Sequence, residues 1–125
     1  MTELELKARL RTFGIRIVKM VDNMPNTISS MAIAKQIVRS GTSPAANYRA
    51  ACLAKSDKDF INKLKMVEEE LDETVHWLDM IIACNILPED RVNNLFIESQ
   101  ELLKIISSSI LTMKQKIDGV INRKS

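Results

Sequence analysis

Glu73-Thr74-Val75-His76 has the spacing of half a metal site. On a bundle helix, Glu-x-x-His supplies two ligands of a di-iron carboxylate centre, which needs a second such pair and two further inward glutamates. His76 is the only histidine of the 125-residue chain, so one chain cannot complete that centre. Glu73 and His76 also flank Thr74, which takes a core-facing position, and the pair reads as solvated on the helix surface. Glu68, Glu69, Glu70, Asp72 and Glu73 crowd too many like charges together for one acid/base couple. Nothing presents a nucleophile beside a base and an oxyanion site, and there is no glycine-rich phosphate loop. Cys52 and Cys84 stand apart from any CxxC or Cys/His cluster and read as small buried apolar residues in a reducing cytosol. No catalytic residue, metal or cofactor is expected. A metal- or ligand-binding bundle enzyme is the competing reading, and metal analysis of the purified protein discriminates the two.

Phosphate neutralisation is the other chemistry the residues offer. The longest run without an acidic residue, Asn23 to Ser56, carries Lys35, Arg39, Arg49 and Lys55. Lys35 and Arg39 share a helix face at i and i+4. Aromatic residues make up only 4% of the chain, which argues against reading single strands through exposed rings. The net charge of +2 is also smaller than nucleic-acid binders usually carry. Residues 57–84 hold eight acidic and three basic groups, so a basic face paired with an acidic neighbour competes with nucleic-acid binding. Lys35, Arg39, Arg49 and Lys55 are the candidate nucleic-acid contacts.

These residues must be positioned by helices. Hydrophobic content is 46%, with three glycines and three prolines, which favours helix and a single domain over residues 1–121. Apolar residues at Leu6, Leu10, Phe13, Ile17, Met20 and Met24 alternate by four and three, the seam of a first helix ended by Pro25 and Asn26. A second helix starts near Thr27 or Ser29 and turns Ala34, Ile37, Val38, Gly41, Ala45, Tyr48 and Cys52 inward. Pro44 interrupts it, and a kink within one continuous helix is expected, with the hydroxyls of Ser40, Thr42 and Ser43 available to freed backbone groups. Ser56 and Asp59 form a capping-box-like start to a third helix with the seam Phe60, Leu64, Val67, Leu71, Thr74, Leu78 and Ile81. A fourth helix begins near Pro88, with Val92, Phe96, Ser99, Leu103, Ile106, Ile110, Met113, Ile117 and Val120 inward and a frayed tail over 122–125. Four helices with short connections predict an all-α, antiparallel up-down-up-down four-helix bundle.

Met66, Trp77, Met80 and Cys84 add a second apolar stripe beside the third seam, and Ile15, Val18, Val21, Leu95, Leu102 and Ile105 widen two other faces. Apolar residues on more than one face need somewhere to go. Together with the basic second helix and the acidic third, they predict side-by-side packing of subunits, with Met66, Glu70, Glu73, Trp77 and Met80 as the candidate interface. No apolar run approaches the length of a spanning helix, and the start MTELELKARLR lacks a signal-peptide core, so the expectation is a cytoplasmic protein away from membranes.

The ordered string Gln36, Arg39, Ser43, Asn47, then Ser56, Asp59 and Phe60, resembles the four-helix-bundle family encoded in intervening sequences of 23S ribosomal RNA genes. Glu69 and Glu70 match the family's third helix, and the resemblance spans about residues 10–115. Many members read N-I-A-E-G where this chain has Asn47-Tyr48-Arg49-Ala50-Ala51, so an acidic position of the family is missing. The resemblance implies a homo-oligomer, commonly a pentamer, without enzymatic activity. A related accessory protein of diversity-generating retroelements, more basic than this chain, binds nucleic acid and a reverse transcriptase. RNA or DNA, or a protein, are therefore the candidate partners.

Overall fold

The structure, a computed structural model, describes residues 1–124, and the side chains of residues 1–119. The place of Val120 in the seam and the frayed tail over 122–125 lie outside the described side chains. Four helices follow one another: α1 (Glu3–Val21), α2 (Ile28–Cys52), α3 (Asp57–Ala83) and α4 (Glu89–Lys124). Hydroxyl side chains start the first three. Thr2 accepts from the Glu5 amide, Thr27 from the Ser30 amide and Ser56 from the Asp59 amide, each satisfying an orphan donor of the first turn. Helix α1 ends at Val21, short of Pro25, and Met24 is buried from the loop that follows. At the end of α3, Asn85 takes the left-handed conformation with φ 53° that lets the chain turn away.

Each helix packs against two others, α1 with α2 and α4, and α3 with α2 and α4, so the four lie around one core. Leu10, Phe13, Ile17, Ile37, Leu64, Val67, Leu71, Leu78, Ile81, Val92, Leu102 and Ile106 are fully buried there. Each such side chain contributes about 1.5–3 kcal/mol relative to exposure. On α3 the first buried position is Ile61, and Phe60 only packs against the core from outside. On α4 the buried series runs Val92, Leu95, Ser99, Leu102, Ile106 and Ile110, with Phe96, Leu103, Met113 and Ile117 half-buried. Leu95 and Leu102 therefore belong to the subunit's own core and not to a spare face.

Helix α2 runs unbroken through Pro44, which is itself buried. Its inward residues are Ser30, Ile37, Ser40, Gly41, Pro44, Tyr48 and Ala51, while Ala34, Val38, Ala45 and Cys52 are only half-buried. The small residues win because two helices press on α2 from different sides. The hydroxyls near Pro44 bond carbonyls further upstream than Ser40: Thr42 Oγ1 donates to Val38 O at 2.6 Å and Ser43 Oγ to Arg39 O at 2.7 Å. Gly41 faces Ile17 of α1 so closely that a Cβ would sit 2.9 Å from both Ile17 γ carbons. Cys84 is exposed at the end of α3, against the expectation of a buried thiol, and Cys52 is half-buried.

Candidate functional site

Arg39, Asn47, Glu70, Glu73 and Trp77 meet at the edge where α2 packs on α3. Arg39 Nη2 lies 2.7 Å from Glu73 Oε1, and the same oxygen accepts from Trp77 Nε1 at 3.4 Å. One level inward, the Ser40 and Thr74 hydroxyls are 3.0 Å apart and fully buried, and Thr74 donates to the Glu70 carbonyl at 2.8 Å. A further step along, the Asn47 amide donates to Glu70 Oε1 at 2.7 Å. This ladder uses three of the motif residues, Arg39, Asn47 and Glu70, to hold two helices together. Glu70 and Glu73, candidate interface residues, thus spend their carboxylates inside the subunit. Trp77 and Met80 are half-buried beside them, and Met66 stays 50% exposed. His76 is exposed, its ring 4.6 Å from that of Trp77. Among the described residues no three His, Cys, Asp or Glu side chains are grouped to hold a metal ion.

The four candidate nucleic-acid residues do not form one patch. Arg39 lies at the α2–α3 edge, taken by Glu73, and Lys35 is exposed one turn before it on α2. Arg49 lines the opposite side of α2, facing Leu4, Lys7 and Arg11 of α1. Lys55 sits in the turn before α3, beside Phe60 and Met113.

Two further surfaces stand out, the first of them gathering Ile15, Val18 and Arg49, which the sequence singled out separately. Along α1 and α2, adjoining clefts of about 350 and 480 Å³ share Arg11, Thr42 and Ala45. Leu4, Ile15 and Val18 are exposed at 77%, 38% and 39% in these clefts, and Lys7, Arg11, Lys19 and Arg49 rim them without a lining carboxylate. Between α1 and α4, Arg9 clasps Glu98 through two bonds, Nε to Oε2 at 2.9 Å and Nη2 to Oε1 at 2.6 Å, and also reaches Glu101 at 2.9 Å. The two carboxylates hold the Arg9 guanidinium firmly protonated, Glu98 most of all. Arg9 and Glu98 are 89 residues apart, beyond the reach of any spacing rule. At the far end of α2, burial pushes the Cys52 thiol up, aided by the Glu3 carboxylate. Burial likewise raises Tyr48.

The two ion pairs should differ in strength. Arg39 is 56% exposed, so a double-mutant cycle with Glu73 should give a coupling of about 0.2–0.5 kcal/mol. Arg9 and Glu98 are 24% and 20% exposed and bidentate, and their coupling should reach about 1 kcal/mol. Equal couplings from chemical denaturation would count against this ranking.

No curated protein matches the chain. A crystal structure of a protein of unknown function from the S23 ribosomal protein family of Bacteroides thetaiotaomicron is similar to it. The two are 34% identical, with a TM-score of 0.80, over 88% of this chain and 98% of the other. The model of the 23S rRNA-intervening sequence protein family matches residues 2–108, starting further upstream than the motif residues suggest. With the bundle, the α2–α3 ladder and that match in agreement, the chain belongs to the 23S rRNA-intervening sequence protein family.

Proposed function

We propose that the protein is a non-enzymatic, homo-oligomeric scaffold, built as a ring of five subunits, that presents its surface to an RNA, DNA or protein partner. The observation that carries the assembly is the mismatch between its faces. The α1–α2 clefts expose Leu4, Ile15 and Val18 inside a cationic rim. The outer face of α3 exposes Met66 among Glu69, Asp72 and Asp79. One face is basic and apolar, the other acidic with an apolar centre, and both belong to every subunit. Two different complementary faces suit a heterologous contact, which closes into a ring when the rotation allows. Met66, Trp77 and Met80 belong to that contact in this reading, while Glu70 and Glu73 fix α2 against α3 behind it.

Light scattering at micromolar concentration and moderate salt should give a mass several times 14.2 kDa. Val18→Glu, which places a carboxylate in the groove opposite the acidic face, should shift the mass towards one subunit. A monomeric wild-type protein would overturn the assembly.

A further inference from the structure

The α1–α4 side of the bundle holds a second cationic surface, away from the α2–α3 edge and adjoining the α1–α2 groove, with which it shares Lys19. Past the Arg9 clasp, α1 and α4 enclose a cleft of about 400 Å³. Arg16, Lys19 and Asn23 line it from α1 and the loop after it, and Arg91 and Asn94 from the first turns of α4. Its floor is apolar, formed by buried Met20, Leu87 and Leu95.

The charge balance here is one-sided. Three cations line the cleft and no carboxylate does, although Asp22, Glu89 and Asp90 are near its residues in sequence. Among the described residues, none of Arg16, Lys19 and Arg91 joins an ion pair, whereas Arg9 and Arg39 both do. Arg16 is half-buried and has no carboxylate partner among the described residues. Asn23 is held in place by donating to the Lys19 carbonyl at 2.9 Å, which leaves its second amide hydrogen free. The donors are therefore two guanidinium forks, one ammonium and two carboxamides over an apolar floor. Guanidinium forks match the geometry of tetrahedral oxyanions, and a bound anion would relieve the mutual repulsion of the three cations.

We propose that this cleft binds a phosphate group. The group can arrive as free phosphate or a nucleotide, or as part of an RNA backbone. The proposal does not depend on the basic residues of α2.

The test uses the full chain with inorganic phosphate and, separately, a labelled single-stranded RNA at several salt concentrations. Three proteins are compared: wild type, R16Q/R91Q and K35Q/R39Q. Phosphate should shift the side-chain amide signals of Asn23 and Asn94 in the NMR spectrum of the wild type and of K35Q/R39Q, and not of R16Q/R91Q. If the source is RNA, R16Q/R91Q should weaken its binding at least tenfold. Losing two phosphate contacts should also flatten the salt dependence by about 1.4 in log–log slope. A response to phosphate alone assigns the site to a small ligand, and a response to RNA assigns it to a backbone. The proposal falls if neither ligand binds the wild type, if R16Q/R91Q behaves as wild type, or if only K35Q/R39Q loses binding. Should R16Q/R91Q melt at a lower temperature than wild type, the single exposed change Arg91→Gln replaces it, with an expected slope change of about 0.7.

Discussion

Phe13→Ala should lower the unfolding free energy by about 3–5 kcal/mol. Phe13 is 1% exposed and has the largest side chain among the fully buried residues. It lies between Leu10 and Ile17 on the buried stripe of α1, so truncation opens a cavity lined by side chains that cannot collapse far. A small domain is stable by only about 5–15 kcal/mol, and one side chain thus accounts for a large share. Urea unfolding at fixed protein concentration measures it, since any assembly makes apparent stability depend on concentration. A shift in midpoint equivalent to less than about 1 kcal/mol would mean that the α1 stripe is not the core it is taken to be.

Gly41→Ala should also destabilise, against the trend for helices. In an exposed helix the change gains about 1 kcal/mol. Here the added Cβ meets Ile17 Cγ1 and Cγ2 at 2.9 Å and Cβ at 3.2 Å. A β-branched side chain in a helix has one strongly preferred rotamer, so Ile17 cannot swing aside cheaply. We expect a net loss of about 1–2 kcal/mol after the propensity gain. Gly14→Ala is the internal control, because its nearest neighbour would lie at 3.5 Å, an ordinary contact, and it should be neutral or stabilising. Adding Ile17→Ala to Gly41→Ala should cost less than the two single changes together. Simple additivity, or a Gly41→Ala protein as stable as wild type, would contradict the close approach of α1 and α2.

The helices were legible because their apolar residues recur at three and four. That signal places Leu6, Leu10, Phe13 and Ile17 of α1 and Leu64, Val67, Leu71 and Leu78 of α3 inside, as found. It falters where apolar residues are adjacent. Leu95 and Phe96, or Leu102 and Leu103, sit about 100° apart on the helix, and periodicity alone cannot say which one faces α1 and α3. It falters again on α2, whose inward positions include Ser40, Gly41 and Pro44, small or polar residues that a hydrophobic pattern passes over. Arg39 and Glu73 were singled out for different partners, and only the weighing of a basic face against an acidic neighbour hinted that they bond each other. It did not reveal the α1–α4 cleft, because Arg16, Lys19, Arg91 and Asn94 converge only through tertiary packing. The presence of cations on both helices was the only available hint.

The order of the seams also has a kinetic meaning. Three of the four helix contacts join neighbours in the chain, and only α1 with α4 links its two ends. Contacts between neighbours close short loops and form quickly, while the end-to-end seam must wait for the others. On that basis we expect the Arg9–Glu98 clasp to form after the rate-limiting step. Arg9→Ala should accordingly speed unfolding and leave the folding rate nearly unchanged. A slower folding limb in a chevron plot would show instead that the ends meet early. On the same reasoning, an anion held between Arg16 and Arg91 would act as a brake on unfolding and lengthen the lifetime of the closed bundle without hastening its formation.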